Sequence, residues 1–226
     1  MICPSSILAH LAKLFVTVAC MRTFSNKYDK TSTWSFHAFQ ILLSHSILGV
    51  LRFGAPFLTS ATSVAKYLRI FYNWYSMIVD VISLALFTAG ILQGYGIRER
   101  VWLTVFSVSI LPIFSHLKPR RKENQIRRHQ LFMNITITLQ FLMIMLVGLR
   151  NSNYNVISLI ISYIFERFFI DEFSYYYDIP STDLAQYSLC FVEIFMVFTL
   201  NELIFEFKSS NSRIRNQRCN TCFSNY

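Results

Sequence analysis

Runs of about twenty apolar residues recur along the chain, each parted from the next by a short polar or charged break, and no other feature restricts the fold as strongly. A helix of that length crosses the roughly 30 Å hydrocarbon layer of a bilayer. Only helices and closed barrels satisfy their own backbone groups there. The runs are too long for barrel strands, so the expected fold is all-α, a polytopic transmembrane helix bundle of about six spans with a short lumenal interfacial helix. The spans are placed at about 5–22, 39–60, 72–93, 101–116, 131–149 and 184–207. They form a single integral membrane domain over 1–226 that ends in a basic tail, 208–226. With 54% hydrophobic and 15% charged residues, the chain is more apolar than a soluble domain of its length needs.

The net charge of +9 sits in short clusters beside the apolar runs, where membrane topology accounts for it. Nucleic-acid binding is therefore not expected. The cysteines, Cys3, Cys20, Cys190, Cys219 and Cys222, are odd in number and make no disulfide framework. The opening run "SSILAHLAKLFVTVAC" is interrupted by His10 and Lys13 and lacks a clean small-residue cleavage site, so it reads as a first span in preference to a signal peptide.

Charge also orders the spans. The loop "KPRRKENQIRRH" and the tail from Lys208 to Arg218 are both strongly basic, and the positive-inside rule places both in the cytosol. An even number of crossings must then separate them. The spans at 131–149 and 184–207 supply two, so the short apolar run from Val156 to Ile170, closed by Glu166 and Arg167, is expected to lie at the interface. Working backward puts Lys66 and Arg69 in the cytosol, "GYGIRER" in the lumen, and both termini in the cytosol.

An ionisable side chain near the bilayer centre costs about 2.5 to 3.5 kcal/mol on insertion scales, so each needs a partner, a wet cavity or a route to the interface. In "LSHSILGVLRFGAP", Ile41, His45, Gly49 and Arg52 share one helical face, with Gly49 allowing a neighbour close. Asp80 shares its face with Asn73, Ser76 and Ser83. Glu193 lies on one stripe with Gln186. The economical arrangement pairs Arg52 with Asp80 or Glu193 and lets His45 hydrogen-bond a neighbour, giving a candidate intramembrane cluster of His45, Arg52, Asp80 and Glu193. The plainer alternative is an interhelical ion pair that fixes packing.

Other features carry less. Pro112 is expected to kink its span, and His116 falls at a span end. Asn134, Thr136, Thr138 and Gln140 favour protein contact over lipid. The "NIT" sequon at Asn134 sits too near the cytosolic end of its span for glycosylation. "CNTC" has a C-x-x-C spacing without two further ligands, so Cys219 and Cys222 read as tail thiols and no metal is expected. The aromatic and acidic segment "FERFFIDEFSYYYDIPSTD" suits a lumenal interfacial belt or a partner surface. Walker, H-E-x-x-H and G-x-S-x-G signatures do not occur, and the five histidines are poorly spaced for axial haem ligation. No cofactor is expected.

The order of features, an acid in "VDVISLALFT", a basic loop leading into "RRHQLFMNITI", the turn "LRNSNY" and a last span with "VEIFMVFTLNE", resembles the Frag1/DRAM/Sfk1 superfamily, above all its post-GPI-attachment branch. The similarity runs over about 36–205 and omits roughly 155–181, an apparent insertion. Asp80, Leu131 with Phe132, and Glu193 fall on family positions, and His45-Ser46 with Arg52-Phe53 are similar to its His-Ser and Arg-Phe pairs, set further apart here. The resemblance implies a Golgi or endoplasmic reticulum membrane protein that assists lipid remodelling of GPI-anchored proteins, with membrane lipids and those proteins as partners. It implies no acyl-transfer residues.

Two competing functions follow from the residues themselves. One is a membrane enzyme with His45, Asp80 and Ser46 as base, orienting acid and nucleophile, which requires hydrogen-bond reach among the three. The other is a small transporter or channel with Arg52, Asp80 and Glu193 along a wet path.

Overall fold

The computed structural model describes the backbone of residues 4–27, 33–58, 62–116 and 123–223, and the side chains of 4–24, 33–54, 63–113 and 130–203. The elements are α1 (Pro4–Lys27), α2 (Thr33–Leu58), α3 (Thr62–Gly94), α4 (Glu99–His116), α5 (Glu123–Arg150), α6 (Asn155–Ile164), a π-helical turn (Phe165–Phe169), α7 (Ile170–Tyr177) and α8 (Ser181–Phe223). No strand occurs among the described residues. The residues joining α6, the π turn and α7 keep right-handed helical angles, so 155–177 is one continuous helix.

Turn chemistry sets the breaks. Gly96, at φ +68°, ends α3, and its N–H donates to the Gln93 carbonyl at 2.9 Å. Ser152 (φ 58°) turns the chain between α5 and α6. Asn153 follows, its backbone N–H bonded to Gly148 O and its side chain donating to Thr199 O, both at 2.9 Å. Asp178 (φ 52°) closes α7, and Pro180, which cannot continue a helix behind it, precedes the first residue of α8.

The helices stand side by side as a closed ring: α1 on α2, α2 on α3, α3 on α4, α4 on α5, α5 on α6, α6 and α7 on α8, and α8 back on α1. Contact register gives the directions. Lys13 meets His45 while Phe24 meets Phe39, and Arg52 meets Asn73 while Phe39 meets Phe87, so α2 runs against both α1 and α3. Phe141 on Tyr163 and Gly148 against Val156 set α6 against α5. Asn155 on Glu202 sets α6 against α8. Ser6 on Asp183 and Lys13 on Gln186 make α1 and α8 parallel. At the near end of the bundle α1, α3, α5 and α8 begin; at the far end they finish.

Within the ring α3 also reaches α5 and α8. From Val81 to Leu92 every residue but Ile82 is buried, the signature of a helix surrounded on all sides. Small residues permit that approach. A Cβ on Gly90 would strike Ser35 Oγ, so only glycine lets α2 come this close. The outside of the ring is apolar, with Leu139, Leu142 and Leu146 of α5 and Phe191 and Phe198 of α8 exposed, as a lipid-facing wall requires.

Among the described residues five helices are long and apolar enough to cross a membrane: α1, α2, α3, α5 and α8. α4, which holds the expected span at 101–116, has 18 residues and carries Pro112 inside it. The expectation for 156–170 does not fit the structure. Instead of lying across an end, the helix over 155–177 runs lengthwise along α8, burying Val156, Leu159, Ile160 and Tyr163. This helix adds a chain reversal that the charge argument lacks. With α1 parallel to α8, the start of the first helix and the finish of the last lie at opposite ends, and so do the start of α5, after the basic loop, and the finish of α8, before the basic tail. Six spans with both termini and both basic segments on one side do not suit this packing.

Candidate functional site: a polar cluster inside the bundle

The buried stripe of α1 is Ser6, His10, Lys13, Thr17, Cys20 and Phe24, at intervals of three and four that keep one face inward. Its upper part is polar. Lys13 has no exposed surface, and its ammonium donates to Gln186 Oε1 of α8 at 3.3 Å and to His45 Nδ1 of α2 at 3.1 Å. An ammonium only donates, so His45 Nδ1 accepts and its Nε2 carries the ring proton, which it gives to Ser76 Oγ of α3 at 2.7 Å. One side chain thereby ties together α1, α2, α3 and α8.

Nearer the end of the bundle a second layer is aromatic. His10 Nε2 shares a 3.1 Å hydrogen bond with the Tyr72 hydroxyl, and its ring stacks on Phe53 with centroids 5.4 Å apart. The same ring lies against Gly49, where any Cβ would overlap it. Tyr72 also stacks on His45 at 5.1 Å. The Arg52 guanidinium stands 4.4 Å from the Tyr72 ring centre and 4.7 Å from that of Phe53, within cation–π range, and donates from Nη1 to Asn73 Oδ1 at 2.9 Å.

The expected charge pairing is therefore different in the structure. Arg52 sits on Asn73, two turns or about 10 Å along α3 from Asp80, and neither Asp80 nor Glu193 is among the charges acting on it. For Glu193 the strongest opposite charge is Lys13; for Asp80 it is Arg167, with Lys13 second. In the sequence Lys13 stands as an interruption of a span and Arg167 as the close of an interfacial run. The signals that would have found them are the polar stripe Ser6–His10–Lys13–Thr17 and the apolar face Val156–Leu159–Ile160–Tyr163, which continues into Glu166 and Arg167.

Glu193 is fully buried midway along the apolar part of α8, Ser181–Leu203, and neither carboxylate oxygen has a hydrogen-bond partner. Thr17 lies beside it, but that hydroxyl's one proton goes to Lys13 O at 2.8 Å. Asp80 is exposed, where its face of α3 passes from exposed Asn73 to buried Ser83. With Ser83, Tyr163, Glu166 and Arg167 it lines a cavity of about 20 Å³.

The nucleophile set does not assemble. Ser46 Oγ donates to Leu42 O at 3.0 Å, while His45 is engaged by Lys13 and Ser76. Returning a hydroxyl proton to the carbonyl four residues back is the general habit here, repeated at Thr88, Ser109, Thr136, Thr138 and Ser162; it satisfies the hydroxyl without a partner helix. Of the polar residues of α5, Thr136 and Gln140 are buried and the Gln140 side-chain amide lies 3.2 Å from the Thr88 hydroxyl, whereas Thr138 is exposed. No group of three or more metal-capable side chains occurs among the described residues. The side chains of Cys3, His116, Cys219 and Cys222 lie outside them.

No family model, curated protein or solved structure matches the chain. The segment that the superfamily resemblance leaves out as an insertion is the helix standing between α5 and α8 in the ring.

Proposed function

We propose that the chain is a multi-pass membrane protein whose seven helices all cross the bilayer and whose interior moves protons. The observation that carries this reading is Lys13 with Glu193, both without exposed surface near the middle of the apolar parts of their helices, the acid having no hydrogen-bond donor. A bundle that needs only polar glue obtains it from serines, threonines and amides. Ionisable groups at this depth are costly and belong by default to pathways and relays. A metal ion is a poor alternative cargo, since it requires several oxygen ligands and would meet the Lys13 ammonium.

The test is purified protein in liposomes holding a pH-sensitive dye, with a membrane potential imposed by potassium and an ionophore. Proton flux should exceed that of empty liposomes and fall to background in Lys13→Met and Glu193→Gln. Flux equal to empty liposomes in the unaltered protein sinks the reading. Seven crossings also put the two termini on opposite faces, which impermeant labelling of tags at the two ends would check.

A second reading is the one the superfamily resemblance implies, an accessory to lipid remodelling of GPI-anchored proteins in the Golgi or endoplasmic reticulum. One observation favours it: an apolar groove of about 340 Å³ between α6 and α8, lined by Ile161, Phe165, Leu184, Phe191 and Phe195, which suits an acyl chain. Cells lacking the protein should then show altered anchor lipids. Normal anchors and normal surface levels of GPI-anchored proteins would remove this reading.

A further inference from the structure

The helix over 155–177 departs from α-helical winding only at Phe165–Phe169. A π turn inserts one extra residue, redirects the side chains around it and is frequent at functional positions. Here it carries Glu166 and Arg167, both half-buried, and none of its residues is fully buried.

Two cavities meet at these side chains. The outer one, about 250 Å³, lies near the α7–α8 turn and is lined by Asp171, Ser181 and Thr182 together with Glu166 and Arg167. The inner one is the cavity of about 20 Å³ at Asp80, Ser83 and Tyr163, and Glu166 and Arg167 line it too. Its volume is enough for one water molecule, which requires about 10–15 Å³ and two to four polar partners. Asp80, Ser83 and Tyr163 supply those partners.

We infer that these cavities are the two parts of a water-filled half-path leading from the near end of the bundle past Asp80 to the buried Ser83 and Tyr163, with Arg167 as the side chain that closes it. Arg167 borders both compartments and is the strongest positive charge acting on Asp80. Its long flexible stem lets the charge swing outward while the helix stays in place. Beyond Asp80 the wall of α3 is dry, since Leu84 and Phe87 have almost no exposed surface. Lys13 is acted on most by Glu193, then by Asp80, and least by Glu166, so the inner end of the path is electrostatically joined to the buried Lys13 and Glu193. The inference rests on the proton-transfer reading for its purpose, though water access can be measured without flux.

The experiment uses the full chain in liposomes with Cys3, Cys20, Cys190, Cys219 and Cys222 changed to serine, Ser83→Cys introduced, and a small cationic methanethiosulfonate that does not cross lipid. Ser83→Cys should react from one face only, several-fold faster with Arg167→Ala and several-fold slower with Thr182→Trp, which fills the outer cavity. Thr88→Cys, just over one turn deeper and fully buried, changes little volume, should stay unreactive in every background and reports that the bundle remains folded. Lack of reaction at Ser83→Cys with and without Arg167→Ala overturns the inference, as does a rate indifferent to Thr182→Trp. Labelling as described in a protein without proton flux leaves the half-path standing and removes the transfer reading.

Discussion

The two halves of α3 show two ways of holding helices together in a bilayer. From Val81 to Leu92 the helix is enclosed, built around Ala85, Ala89 and Gly90, and its Thr88 returns its proton to Leu84 O. From Tyr67 to Asp80 it is open on one side, with Tyr67, Phe71 and Trp74 exposed, while Tyr72 and Ser76 turn inward to two histidines. Lipid tails are as apolar as leucine, so apolar surface alone does not draw helices together there. The far half relies on close contact between small residues. The near half relies on hydrogen bonds and stacked rings, and so keeps charges where chemistry can use them.

Substitutions should separate these two regimes. The largest effect is expected for Lys13→Met, which leaves Glu193 buried without its opposite charge and should lower unfolding stability in detergent by about 3–5 kcal/mol. Adding Glu193→Gln should restore most of the loss; a double variant as unstable as Lys13→Met alone means that Lys13 does not neutralise Glu193. Next comes Phe87→Ala in the enclosed half, costing about 3 kcal/mol, the low end for such a truncation, because a membrane reference state loses packing contacts more than water avoidance. A thermal unfolding series would show whether the enclosed half is as cohesive as its burial suggests.

Gly49→Ala should cost about 1–3 kcal/mol through overpacking, since its new methyl meets the His10 ring, and pairing it with His10→Ala should relieve the strain. The smallest effect is expected at Thr138→Ala, within about 0.5 kcal/mol, because that exposed hydroxyl bonds only its own helix. A larger loss at Thr138 would mean that this face of α5 is covered by protein in the membrane.

The sequence made the apolar helices legible because each is long enough to cross lipid unaided. It did not reveal the helix over 155–177, whose Glu166, Arg167, Asp171 and Glu172 break the apolar run, and whose lengthwise packing along α8 sets the start of α5 and the finish of α8 at opposite ends of the bundle. Its inward face was nonetheless visible at Val156, Leu159, Ile160 and Tyr163. Within the site, His45, Arg52 and Gly49 were legible as an inward stripe, but their partners depend on register between helices. Opposite charge was a poor guide to that register: Arg52 settles on an amide and two aromatic rings, and Asp80 faces a cation about ninety residues further along the chain.

Closure of the ring by its first and last helices has a consequence for biogenesis. Lys13 enters the membrane first but meets Gln186 only after a further 173 residues, about 10–35 s of synthesis at ordinary elongation rates. During that interval Glu193, the acid that acts on it most strongly, is missing. A chain truncated before α8 would keep that ammonium in the bilayer without its strongest counter-charge, a ready signal by which the cell can tell truncated copies from full ones.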